Sequence, residues 1–436
     1  MAGWGAPVSA GFHSRRNHCL SRNEVGEKLH GGPSVLEGAG RREGACARSG
    51  DAAGGAPGGG GGNSVTAGAA IGGEPVDRER FMEEEECSWP VLDPRKADQT
   101  IDAKDPNQIV KIMLLADTHL LGPKHGHWFD KLRREWQMYR TFQTAMILQR
   151  PDVVFILGDL FDEGQWCSPE EFNAYIDRFH SIFHVPAGTK LFVAVGNHDI
   201  GFHYKITPYL QKRFTDAFDA PPVRLITLAG SHFVLLNSMA MEGDGCFLCR
   251  PAEVLLSKIS RRLKCTKNPS QCAKSMSLSQ YSRPILLQHF PLYRESDEVC
   301  NEPDEAPEDE KSQKFRERME CISRESTFSL LDMLQPRVSF GGHTHHGCHR
   351  YHTLTNTHEF TLPSFSWRNK NNPSYSLAVF TPNNYEVSKC YMPQESTVCF
   401  LYFSGILMIL IYAAFSYKFL CRRQRLFKEK ESEKQP

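Results

Sequence analysis

The sequence predicts an α/β fold followed by one C-terminal membrane helix. Short Val/Ile/Leu/Phe-rich runs recur between Ile109 and Phe340, with helix-like stretches between them. Five of these runs end in a polar motif of Asp, Asn and His. Val398–Leu420 is a run of 23 residues whose one charge, Lys418, stands near its end. Strand, helix and strand in that order form a βαβ unit, and a run that long and apolar spans a bilayer.

The chain has 436 residues, with 51 Lys plus Arg balanced by 51 Asp plus Glu and a mean hydropathy of −0.43. The balance argues against nucleic acid as a partner, and the hydropathy excludes a polytopic membrane protein. More than half of the 34 glycines fall in the first 80 residues, including the run Gly58–Gly62. Residues 1–85 therefore read as a disordered extension with no signal peptide or N-terminal span, and 86–108 as a linker. A lone C-terminal span without such a leader would insert as a tail anchor, which conflicts with the charge of its tail.

Strands are predicted at Val110–Ala116, Val153–Leu157, Leu191–Val195, Phe233–Leu236, Ile285–Leu287 and Val338–Phe340. Between the first two, Phe129, Leu132, Trp136, Phe142 and Met146 recur at helical spacing over Trp128–Leu148. Pro151 disfavours helix at Arg150 and ends that stretch. Nine carboxylates crowd 295–311, which reads as a solvated surface loop. Lys418 can snorkel to the interface at the end of the 398–420 span. The 421–436 tail holds six basic and three acidic residues, so the positive-inside bias places it in the cytosol and the 109–392 body on the other side.

The chemistry lies in the motifs. Asp117-Thr118-His119 follows the first strand, Gly158-Asp159-Leu160-Phe161-Asp162 the second and Gly196-Asn197-His198-Asp199 the third. Gln288-His289-Phe290-Pro291 and Gly342-His343-Thr344-His345 follow later ones. In open α/β sheets ligands bind beyond the strand carboxyl ends, where these side chains would converge. Imidazoles mixed with carboxylates suit Zn, Mn or Fe. Seven candidate ligands (Asp117, His119, Asp159, Asn197, His289, His343 and His345) are too many for one ion, and two ions sharing a carboxylate account for them. His198, a histidine beside the pair that need not ligate, is the natural acid.

This ordered set resembles the calcineurin-like metallophosphoesterase superfamily. The resemblance covers about Ile109 to Met392 and implies a four-layer sandwich, two mixed β-sheets flanked by helices. It implies that Asp117, His119 and His345 hold one divalent ion, that Asn197, His289 and His343 hold the other, and that Asp159 bridges them. His198 would then act on the leaving oxygen, with Asp199 orienting it. Glu163 stands where the protein phosphatases of the family carry an Arg, which points to a diester; Arg133, Arg134 and Arg368 are substitute clamps. The runs Leu115–Gly122, Phe155–Asp159, Gly196–Tyr204, Pro363–Arg368 and Asn371–Ser374 are similar to the membrane-bound branch that trims glycosylphosphatidylinositol (GPI) anchors. That likeness implies Mn²⁺, GPI-anchored proteins as substrates, the cargo-transport machinery as a further partner and residence between ER and cis-Golgi. The alternatives are a phosphatase or phosphodiesterase for nucleotides or proteins, and a catalytically dead interaction protein.

The cysteines favour disulfides. Cys265 and Cys272 flank a polar stretch and can pair in an oxidising lumen. Cys246-x-x-Cys249 has the spacing of half a zinc site, with no second CxxC to complete it.

Overall fold

In a computed structural model, residues 87–101, 108–273 and 276–432 are described. The reading of 1–85 as disordered falls outside them. In chain order the strands and helices begin with β1 (Val110–Leu115), α1 (Trp128–Gln149), β2 (Val153–Leu157), α2 (Pro169–Ile182), β3 (Lys190–Ala194), α3 (Asn197–Ile200) and α4 (Pro208–Phe218). They continue with β4 (Val223–Leu228), β5 (Ser231–Leu236), α5 (Cys249–Lys267), β6 (Ile285–Gln288), α6 (Glu308–Lys311), α7 (Arg324–Leu334) and β7 (Val338–Gly341). The last are β8 (Cys348–His352), β9 (Thr357–Thr361), β10 (Ser374–Phe380), β11 (Tyr385–Tyr391) and α8 (Glu395–Ser432).

The strands form two mixed sheets, ordered β11-β10-β1-β2-β3 and β4-β5-β6-β7-β9-β8. The alternating side chains of a strand explain how they pack. Ile112 and Leu114 of β1 and Phe155 and Leu157 of β2 meet Phe233, Leu235, Leu287 and Phe340 in a core between the sheets. Their neighbours Met113, Leu115, Val154 and Ile156 face the other way, into a core with Met138 and Phe142 of α1 and Phe179 of α2. With both faces covered, these central strands read as continuous apolar runs.

β1, β2 and β3 run parallel to one another, and so do β5, β6 and β7. The carboxyl ends within each parallel set therefore share one edge of their sheet, where the motifs emerge. α1 ends as its sequence implies, with Arg150 in the left-handed region at φ 46° ahead of Pro151. Its buried face differs from the periodic set. Phe142 and Met146 are buried, but Phe129, Leu132 and Trp136 are exposed, and Gln137, Met138 and Ala145 take the inner positions.

The acidic 295–311 segment is not a solvated loop throughout. Asp297 is buried against Arg294 and Asp304 against Lys389, while Cys300 is bonded to Cys348. Two further disulfides join Cys265 to Cys272, the pair expected from spacing, and Cys87 to Cys390. α8 contains a stretch of mean hydropathy 2.3, long and apolar enough to cross a membrane, and most of its described side chains are exposed.

Candidate dinuclear metal centre

The five motifs leave β1, β2, β3, β6 and β7 within a few residues of each strand's end, and the structure brings the seven expected ligands together. Around Asp117, His119 Nε2 lies 3.2 Å from His345 Nε2, 3.8 Å from Asp117 Oδ1 and 3.5 Å from Asp159 Oδ2. On the other side of Asp159, the same Oδ2 lies 3.3 Å from His289 Nε2, which is 3.1 Å from Asn197 Oδ1. His343 joins Asp159 and His289 in this second group, and Asp117 and His119 join His345 in the first. Asp159 stands between the groups.

The backbone is bent to aim these side chains. Asp117, His119, Asp159, His343 and His345 have φ between 42° and 76°, a region that side chains with a Cβ rarely enter. Five of the seven candidate ligands therefore carry backbone strain, the pattern of a functional site held by the surrounding fold. Two glycines make room. Gly158, at φ 87°, lets the chain pass His289, whose Nδ1 a Cβ there would meet at 2.6 Å. A Cβ on Gly196 would collide with the Asp159 carboxylate.

The ring nitrogens that face away from the centre are held by the protein. His289 Nδ1 donates to the Leu157 carbonyl at 2.8 Å, and His343 Nε2 to that of Met319 at 2.7 Å. Each bond fixes the tautomer that leaves the inner nitrogen with its lone pair, as metal-binding histidines require. His343 Nδ1 and Asp117 Oδ1 are buried with no hydrogen-bond partner, an arrangement that costs free energy unless a cation satisfies them.

The electrostatics agree. Burial pushes the His343 imidazole down to about 3, with the His289 charge adding to it. His345 is pushed down by burial and then by His119, so both are neutral at physiological pH. Burial alone would lower His119 and His289, but Asp117, Asp162 and Asp159 outweigh it and hold them at about 10 and about 9. These carboxylates stabilise positive charge on the two rings, and a bound cation would take the place of those protons and leave the inner nitrogens free to ligate. The clusters and the family together indicate a dinuclear divalent-metal site, and the donors present fit one.

One of the expected roles changes. Asp199 does not orient the His198 ring; its carboxylate accepts from the Phe161 N–H at 3.0 Å and the Gly196 N–H at 2.8 Å, which ties two of the motif loops together. His198 Nδ1 instead donates to the carbonyl of Asp162 at 2.9 Å. Asp162, missing from the expected set, also places Oδ1 3.3 Å from His119 Nδ1 and 3.1 Å from Arg368 Nη2. Its signal in the sequence was the last carboxylate of Gly158–Asp162.

Of the three arginines, Arg368 reaches the centre through Asp162, and Arg133 is committed to Asp130 and Glu395. Arg134 is near enough to feel the charges of Arg368 and Asp162. Glu163 is buried and accepts from the backbone N–H groups of Lys124 and His125, so it holds a loop where the phosphatases would place an Arg. A cleft of about 850 Å³ opens beside His343 and His345, with Lys314, Arg316 and Lys370 among its walls.

Residues 110–347 match the family described as Calcineurin-like phosphoesterase. The chain is 47% identical over 336 residues to Metallophosphoesterase 1 of Gallus gallus, covering 76% of this chain and 84% of that one. It is 48% identical to the Drosophila melanogaster homolog of Metallophosphoesterase 1, covering 77% and 87%, and 47% identical to the Mus musculus protein, covering 77% and 85%. A buried, strained His/Asp centre at the ends of parallel strands, in a chain this similar to those proteins, makes it a metal-dependent phosphoesterase belonging to the calcineurin-like phosphoesterase family.

Proposed function

We propose that this chain is a phosphodiesterase that removes ethanolamine phosphate from the second mannose of GPI anchors, in support of ER-to-Golgi transport of anchored proteins. The observation that carries this reading is the position of the centre beside the root of a membrane helix. Arg368 contacts Asp162 at 3.1 Å, and three residues later Asn371 bonds to Ser396 and Glu395 in the first turn of α8. An active site so placed meets substrates that are themselves held in the membrane.

The three disulfides support an oxidising compartment and the basic tail a cytosolic C-terminus, so the body reads as lumenal. Asp117, His119 and His345 would hold one ion and Asn197, His289 and His343 the other, with Asp159 shared; Mn²⁺ suits the mixed N/O donors. When bound, the ions supply Lewis acidity and a hydroxide nucleophile at neutral pH.

The chain's own residues do the rest. Arg368 orients a non-bridging phosphoryl oxygen, as guanidinium groups do. His198, with Nδ1 tied to the Asp162 carbonyl, presents Nε2 toward the leaving oxygen. As the bond from phosphorus to the mannose oxygen breaks, His198 delivers the proton that the departing alkoxide takes up. Asp162 holds His119, His198 and Arg368 in register.

The test uses the full chain in detergent with Mn²⁺. It should cleave phosphodiesters in preference to monoesters, release ethanolamine phosphate from a GPI glycan, and lose turnover in Asp159→Ala. Unchanged activity in that variant would sink the mechanism. Protease digestion of sealed membranes should leave the catalytic body protected, and a digested body would rule out lumenal anchor trimming.

A further inference from the structure

Cys246-x-x-Cys249 has the spacing of half a metal site. The fold adds His203 from a different part of the chain and Asp244 from just ahead of the motif. His203, in a short 3₁₀ turn at His203–Lys205, and Asp244 bring one donor each, and their donor atoms lie within 4.8 Å of one another and of both Cys246 Sγ and Cys249 Sγ. Neither cysteine is in a disulfide.

We infer that His203, Asp244, Cys246 and Cys249 form a further metal site, distinct from the dinuclear centre, that takes a single Zn²⁺ as a structural ion. Four observations converge on it. Cys246 Sγ accepts the backbone N–H groups of Leu248 at 3.2 Å and Cys249 at 3.1 Å, which fixes the position of the sulfur at the turn into α5. His203 Nδ1 donates to the Met239 carbonyl at 2.9 Å, which leaves the Nε2 lone pair facing inward. That nitrogen lies 2.8 Å from Asp244 Oδ2, so two acceptor atoms face each other unless a proton or a cation stands between them. The carboxylate is fixed from behind, its Oδ1 accepting the Cys246 N–H at 3.0 Å.

Two thiolates, one imidazole and one carboxylate make a four-donor set whose softness selects zinc over manganese, magnesium or calcium. The site also explains how the wall of the catalytic cleft is held. Phe202, next to His203, packs against Phe290 and His343, with ring centroids 6.1 and 6.5 Å away. Glu242, two residues before Asp244, pairs with Arg318 at 2.9 Å, and the adjacent Met319 carbonyl holds His343. One ion here would pin both loops that buttress His343.

The test counts metal in the full chain purified in detergent from zinc-supplemented cells. About three equivalents are expected, falling to about two in Cys246→Ser and Cys249→Ser. As a readout independent of how those variants fold, the wild-type chain is also loaded with Co²⁺. A cobalt–thiolate charge-transfer band is expected there, since the dinuclear centre offers no sulfur. The band should persist in Asp159→Ala, which shares no ligand with this site, so failure of the phosphodiesterase reading leaves the result intact. Absence of the band from cobalt-loaded wild type would overturn the inference. So would a Cys246–Cys249 disulfide found by peptide mapping without reduction.

Discussion

The Cys87–Cys390 disulfide closes a loop of 303 residues around the catalytic body. Replacing both cysteines by alanine should remove about 5.7 kcal/mol of chain-entropy stabilisation, or about 5.5 when the two bridges nested inside shorten the loop of the reference chain. The same relation gives about 2.4 kcal/mol for Cys265–Cys272, which spans 7 residues. Local contacts widen the gap. Gln149 donates to the Cys87 carbonyl at 2.8 Å, Trp89 donates to that of Gln149 at 2.9 Å, and Ser388 donates to that of Ser88 at 2.9 Å. Releasing Cys87 loosens this strap across α1 and β11. Urea unfolding of the full chain in detergent, followed by tryptophan fluorescence, should show a far larger loss of midpoint for Cys87→Ala/Cys390→Ala than for Cys265→Ala/Cys272→Ala. Equal losses, or the reverse order, would refute the argument from loop length.

Three other changes follow from the site and the core. Asp162→Asn keeps the shape but loses the charge that orients His119, and should lower metal affinity or turnover by about 10–100-fold, read by titrating metal into the metal-stripped chain. Arg368→Met should raise KM for a phosphodiester by about tenfold or more while metal content stays constant. His232 is buried, with Nε2 donating to the Gln280 carbonyl at 2.9 Å and Nδ1 accepting the Thr227 hydroxyl at 3.0 Å. Burial holds its imidazole below the ordinary value, so the unfolded chain takes up this proton first. Its contribution to stability is complete above about pH 6.5 and is lost as pH falls from there toward the depressed folded value. His232→Gln should flatten that part of the stability profile in urea melts at stepped pH.

Strands β1, β2, β3, β5, β6 and β7 were legible as apolar runs, and the seven candidate ligands were legible because each lies in a polar motif at the end of one of them. β4, β10 and β11 were not legible because no motif of the set follows them, and β8 and β9 because Cys348–His352 and Thr357–Thr361 are mostly polar, with side chains that alternate in and out of the core. The α1 periodicity was real, but it did not show which apolar side the domain would cover. The partners of His198 and Asp199 were hidden for another reason. A carboxylate can serve a ring beside it or a backbone N–H that only folding brings near, and spacing does not distinguish them. Nor could the sequence pair His203 with Cys246, since a 3₁₀ turn and a loop 40 residues later meet only through tertiary packing.

Only Met392, Pro393 and Gln394 separate β11 from α8, and Trp367 donates to the Pro393 carbonyl at 3.1 Å. A connection this short and this well bonded works as a ruler rather than a leash. With α8 in a bilayer and the proposed membrane-held substrate, it would set the height of the catalytic cleft above the membrane, and a phosphodiester would be presented only if its own stem brought it to that level. Under that proposal enzyme and substrate would search for each other by lateral diffusion in a plane, and turnover on a freely dissolved diester would understate turnover on a surface.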